Sequence, residues 1–157
     1  TERKSRVIFP SSPIRPEKNH PLFERITNTL YEELGTNSFE CITMQGMSRE
    51  EVAHLFKSSR CLVLTSKYEG SPQVIKEAII CDLPIISTAV GDVPYLLEHE
   101  EMSVVSDNEK ELIQGLRKYL TDTDLQKNFT QETKASVSNN IVSECLNSIY
   151  TRLLEKV

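Results

Sequence analysis

Residues 60–88 read RCLVLTSKYEGSPQVIKEAIICDLPIIST. The stretch opens on a nearly unbroken apolar run and passes through a Gly-Ser-Pro turn into a segment whose apolar residues recur at helical spacing. It then returns to a second apolar run. Apolar runs without polar alternation are expected of strands covered by helices on both faces, as in a parallel sheet. Strand, helix and strand in that order require a crossover connection, and such connections are right-handed in nearly all proteins.

Working outward from this unit, the same alternation continues in both directions. Upstream, RVIF (6–9) reads as a strand, PSSPIRPEKNHP (10–21) as a loop, and 22–34 as a helix. FECITM (39–44) is a second strand, and GMSREEVAHLFKSS (46–59) opens a helix in which Ser48 and Glu51 have the spacing of a capping box. Downstream, GDVPYLLEH (91–99) gives a turn and short helix, and MSVVS (102–106) a weak fifth strand. Asp107 is expected to cap a helix ending near Leu120. Residues 121–133 are expected to form another short helix, and 139–157 a long terminal one with Ile141, Cys145, Ile149 and Leu153 on one stripe. Strict alternation of this kind implies an α/β fold, a Rossmann-like doubly wound parallel sheet of five or six strands, with 1–157 as a single domain.

Composition agrees with one globular domain: of 157 residues 38% are hydrophobic and 26% charged. Eighteen basic against twenty-three acidic side chains give a net charge of -5, which argues against a nucleic-acid partner bound through a basic face. No apolar run approaches the roughly 18 residues of a membrane span. The first residues, TERKSR, lack the apolar core of a secretory signal, so a cytoplasmic location is expected. Cys41, Cys61, Cys81 and Cys145 form no C-x-x-C pair, and reduced thiols without a metal are expected.

In doubly wound sheets, ligands sit beyond the carboxyl ends of the strands. That rule collects Ser11, Ser12, Arg15 and Lys18 after the first strand, and Gly46 and Met47 after the second. It adds Ser66, Glu69, Gly70 and Ser71 after the third, and Gly91 and Asp92 after the fourth. At the Gly70-Ser71-Pro72 turn, glycine permits close approach, Ser71 can cap, and Pro72 suits the first helical position. The helix start would then aim free N–H groups and a partial positive charge at the rim, as an anion site requires. With Arg15 and Lys18 nearby, these groups could neutralise a diphosphate. There is no G-x-G-x-x-G and no G-x-x-x-x-G-K-[ST], so side chains must supply more of the grip.

Glu77 lies five residues past Pro72, about 7 to 8 Å along the helix axis. A carboxylate at that offset can accept hydrogen bonds from a vicinal diol such as a ribose, while Glu69 would meet a second sugar. Spacing alone carries no meaning, because Glu24 and Glu32, Glu32 and Glu40, and Glu101 and Glu109 share the same interval. Position at the rim separates the pair Glu69/Glu77 from these others.

The segment SKYEGSPQVIKEAIICDLPIISTAVGDVPYLL (66–97) resembles the signature of the retaining GT-B glycosyltransferases of the GT4 type, roughly P-S-x-x-E-G-x-x-x-x-x-x-E-A-x-x-x-G-x-P-V-I-x-x-x-V-G-G. Both glutamates, Gly70, Ala78, Pro84 and Gly91 fall in register with it. FPSSPIRPEKN (9–19) is similar to the family's phosphate-binding loop. The departures are Pro72 in place of a residue with an N–H, Asp82 for a usual glycine, Asp92 in VGD for V-G-G, Tyr95 for a common glutamate, and Ser12 for a frequent arginine.

The resemblance implies a division of labour. Glu77 would hold the ribose hydroxyls, Glu69 would contact the transferred sugar as the catalytic residue, and Arg15 and Lys18 would hold the diphosphate. Backbone groups near Gly70, Ser71, Gln73 and Val74 would meet sugar and phosphate, Ser66 would support them, and Gly46 and Met47 would edge the base. It further implies the C-terminal donor half of a two-domain enzyme, with no metal or cofactor. The partners would be a nucleoside-diphosphate sugar and an N-terminal acceptor domain absent from this chain, which would make any peripheral membrane contact. The crossover helix would be 139–157, and the half alone would be inactive. Polysaccharide or glycoconjugate synthesis is the family's commonest destination. The alternatives are a non-enzymatic nucleotide-sugar sensor or scaffold, and a GT-B epimerase or hydrolase.

Overall fold

The computed structural model describes residues 3–125 and 128–138. The terminal helix expected over 139–157 lies outside them. Each apolar run becomes a short strand: β1 (Arg6–Phe9), β2 (Glu40–Thr43), β3 (Cys61–Leu64), β4 (Ile85–Ser87) and β5 (Ser103–Val105). Between and after them run α1 (His20–Leu34), α2 (Arg49–Ser58), α3 (Gln73–Ile80), α4 (Val93–Leu96), α5 (Glu109–Thr121) and α6 (Gln131–Ser138). The strands pair only in parallel, in the order β2-β1-β3-β4-β5. The doubly wound, Rossmann-like architecture follows directly.

The alternation of side chains along each strand shows how the sheet is covered. Val7, Phe9, Cys61, Val63 and Ile86 pack against Ile26 and Leu30 of α1 and Leu112 and Leu116 of α5. Ile8, Leu62, Leu64 and Ile85 point the other way, onto Phe56 of α2, Ile75 and Ile79 of α3, and Val93 at α4. Burial of every β3 side chain explains the unbroken apolar run there. On the first face α5 comes close enough that a Cβ on Gly115 would lie 2.8 Å from side-chain atoms of both Ile86 and Val104.

This coverage defines the switch point of the sheet. After β1 the chain crosses to the α1 face and steps outward to β2; after β3 it crosses to the α3 face and steps the opposite way to β4. The loops after β1 and β3 therefore diverge, leaving a crevice between adjacent strands at the carboxyl edge.

Several local expectations are corrected. Helix α1 begins at His20, with Pro21 in its first turn. Asn108, not Asp107, caps α5: its Oδ1 accepts from Lys110 N–H at 3.0 Å, while Asp107 Oδ1 is taken by Ala89 N–H at 2.9 Å. The short helix placed over 121–133 starts instead at Gln131. Asp122 Oδ1 turns the chain by accepting from Asp124 N–H at 3.0 Å, and Asp82 Oδ1 claims Phe129 N–H at 2.9 Å. The Ser48/Glu51 capping box is present in both directions.

Candidate functional site

The loop after β1 coils into a single 3₁₀ turn over Pro16–Lys18, then reverses through Asn19 at φ 52°. Asn and Asp tolerate this left-handed region better than other side chains. Thr65, buried at the end of β3, donates its hydroxyl to the carbonyls of Lys18 and Asn19, each at 3.0 Å. Lys67 N–H adds a bond to the Glu17 carbonyl at 2.9 Å. The two diverging loops are thus strapped together across the crevice, and Lys18 is held at its mouth.

There the Lys18 ammonium pairs with Glu69 Oε1. Ser66 Oγ donates to the same oxygen at 2.7 Å. Both contacts fall on Oε1, and Oε2 has no hydrogen-bond partner among the described residues. The side chains of Lys18 and Glu69 are 16% and 14% exposed, and an ion pair so sheltered is screened by salt far less than a surface pair. Of the two cations expected to serve an anion, Lys18 therefore stands in the crevice. Arg15 is exposed and turned onto Glu17, at 2.7 Å from Nε to Oε1.

Behind this pair, the first turn of α3 differs from its sequence reading. Pro72 occupies the cap position, outside the helix, and Gln73 is the first helical residue. Ser71 makes no capping bond; its hydroxyl donates to Asp92 Oδ2 at 2.5 Å. A carboxylate is the stronger acceptor, and satisfying it takes the hydroxyl away from the helix. The amides of Ser71, Gln73 and Val74 end on no acceptor among the described residues, so α3 still offers unpaired N–H groups at the crevice.

Glu77 is half-buried on α3, beside the Ile75/Ala78/Ile79 stripe that packs on the sheet. Burial pushes its carboxyl above the usual glutamate value, and the positive charge of Arg49, the first residue of α2, opposes that rise. Arg49 was not among the residues singled out from sequence; its only local mark is its place directly after the Ser48 cap. Gly46 adopts φ 61°, turning the chain from β2 into α2. Met47, 37% exposed, lines an open groove of about 490 Å³ along α2 with Arg6, Glu50 and His54. Among the described residues no group of three or more His, Cys, Asp or Glu side chains could hold a metal, and no helix is long and apolar enough to cross a membrane.

Comparison with known proteins gives a consistent picture. Residues 27–136 match the family described as glycosyl transferases group 1. Over 105 residues the chain is 30% identical to N-acetyl-alpha-D-glucosaminyl L-malate synthase of Bacillus anthracis, covering 65% of this chain and 27% of that protein. Among solved structures, HepE from Anabaena in complex with UDP superposes with a TM-score of 0.64 at 15% identity, over 98% of this chain and 48% of that one. Sucrose-phosphate synthase from Thermosynechococcus elongatus gives 0.56 at 20% identity, over 97% and 39%. At such identities the two structures speak to the fold. The chain spans about a quarter of the curated relative and less than half of either solved protein.

Proposed function

We propose, from the premise that this chain belongs to the group 1 glycosyl transferases, that it forms the nucleotide-sugar-binding half of a retaining enzyme of GT-B architecture. The observation that carries this reading is the Lys18–Glu69 pair, set where the loops after β1 and β3 part and in front of the unpaired amides of α3. The solved complex of HepE with UDP supports a nucleoside diphosphate as the ligand class.

Each group then has a task. When the glycosidic bond to the donor breaks, negative charge builds on the distal phosphate. Lys18 and the amides of Ser71, Gln73 and Val74 stabilise that charge without reorganising, which lowers the barrier directly. Glu69 keeps Oε2 for a hydroxyl of the transferred sugar. Glu77 accepts from the ribose diol, with Arg49 favouring its ionised form. Gly46 and Met47 edge the base, and Arg15 reaches the phosphates after leaving Glu17. Ser66 orients Glu69. The acceptor and the remaining catalytic groups belong to an N-terminal domain, so residues 1–157 alone bind donor weakly and transfer nothing. Polysaccharide or glycoconjugate assembly is the setting the family favours.

Titrating the full-length protein with UDP-, GDP- and ADP-sugars, then assaying transfer by wild type and Glu77→Ala, tests the reading. Saturable binding of one series and turnover that falls with the substitution are expected. Binding with no turnover in wild type, under any acceptor extract, would mark a sensor instead. Sugar release without an acceptor would mark a hydrolase.

A further inference from the structure

We propose that the Gly91–Asp92 turn after β4 aims the Ser71 amide into the crevice, with Asp92 as the positioning residue. This rests on the donor-site reading above and adds a residue to it. Three contacts join the turn to the loop after β3. Asp92 N–H donates to the Gly70 carbonyl at 3.0 Å, Asp92 Oδ2 accepts from Ser71 Oγ at 2.5 Å, and the Gly91 backbone lies directly against Gly70.

The first contact has a directional consequence. The described residues contain no cis peptide, so the C=O and N–H of the Gly70–Ser71 unit point in opposite directions. With the Gly70 C=O tied toward the β4 loop, Ser71 N–H must face the other way. In the sheet order β1-β3-β4 the other way is the β1 side, where Lys18 and Glu69 meet. A peptide without this tie could rotate and offer the carbonyl to an incoming phosphate, which would repel it.

The second contact keeps the first in place. A free serine hydroxyl in such a loop competes for neighbouring backbone groups. Bonding to Asp92 removes that competitor and holds the Ser71 side chain against the β4 loop, off the crevice. Asp92 Oδ1, in turn, is buried and has no hydrogen-bond partner among the described residues. An unmet buried oxygen costs stability, so a folding advantage is a poor account of the carboxylate at this turn. Because Ser71 N–H faces the β1 side, where Lys18 and Glu69 meet, it serves the distal phosphate and the sugar, and not the nucleoside.

The test uses the full-length protein with Asp92→Ala and Asp92→Asn. UDP-, GDP- and ADP-glucose and the three matching nucleoside monophosphates are titrated by calorimetry. Asp92→Ala is expected to weaken the nucleotide sugar that wild type binds by about tenfold, the worth of one well-aimed bond to a charged group, and to leave its monophosphate unchanged. Asp92→Asn, which still offers Ser71 an acceptor, is expected to stay within about twofold of wild type. Equal losses for sugar nucleotide and monophosphate, or no loss for either, overturn the proposal. A ligand-free arm measures hydrogen exchange of the amide at position 92, the donor to the Gly70 carbonyl, which should exchange several-fold faster in Asp92→Ala than in wild type; unchanged exchange overturns the proposal by itself. If wild type binds none of the six probes the donor-site reading fails, and the exchange arm still decides the role of Asp92.

Discussion

Gly91 and Gly70 meet backbone to backbone: a Cβ on Gly91 would overlap the Gly70 carbonyl oxygen and lie 2.8 Å from its carbon. Gly91 also stands at φ 53°, where a side chain adds its own penalty. Gly91→Ala is therefore expected to lose roughly 3 kcal/mol or more, combining left-handed strain with forced separation of two loops. Urea unfolding measures the loss. A variant within 0.5 kcal/mol of wild type, about the spread of an inert surface change, would contradict the packing described.

Gly70 presents the opposite case. A Cβ there meets nothing within 4 Å and its φ is not left-handed, so the fold does not call for glycine. Gly70→Ala should leave the unfolding midpoint unchanged while weakening nucleotide-sugar binding at least about tenfold, because the methyl group occupies space the ligand needs. Equal affinity in the two proteins would remove Gly70 from the site.

Glu77 trades stability for function. Its carboxyl is pushed up by burial, so its contribution to folding is fully present below the unfolded value of about 4.3 and is lost as pH rises through the higher folded value. Once ionised, the residue costs the fold something. Relative to wild type, Glu77→Gln should gain stability as pH is raised from about 4 to about 7.5, while its affinity for a nucleoside diphosphate falls about tenfold. A stability difference that is flat with pH would show that burial of this carboxylate carries no cost.

Asp82 adopts φ 53° at the end of α3, a conformation glycine enters more readily than any other residue. Its carboxylate accepts from Phe129 N–H at 2.9 Å and from the Lys134 ammonium at 2.7 Å, tying α6 to the end of α3. Asp82→Ala keeps the strain and drops both bonds, and is expected to cost about 2 kcal/mol. Asp82→Gly relieves about 1 kcal/mol of that strain and should cost correspondingly less. Denaturation midpoints that rank Gly below Ala would reverse the argument.

What could be read from sequence was whatever a residue's near neighbours decide. The apolar runs of β3 and β4 announced a sheet covered on both sides, and Ser48 with Glu51 announced their own cap, three positions apart. Motif and strand order put Glu69 and Glu77 forward as a pair, and the structure sets Glu69 beside Lys18. Long-range acceptors were not legible. Asp107 and Asn108 are equally good caps locally, and Ala89 N–H, eighteen residues upstream, decided between them. Ser71 looked like a cap until Asp92, twenty-one positions away, took its hydroxyl. Arg49 and the latch at Asp82 share that character, since their partners lie on other elements.

The shared oxygen of Glu69 has one more consequence. Lys18 gives one of its three ammonium donors to Glu69, so an anion approaching the ammonium meets a carboxylate beside it. On the donor-site reading, inorganic phosphate would engage the ammonium against the repulsion of that carboxylate and would bring no hydroxyl to its second oxygen. A sugar nucleotide would bring an anion for the one and a hydroxyl for the other. The pair would thus act like a lock that needs two keys turned together, favouring a ligand that carries both groups over a small anion alone.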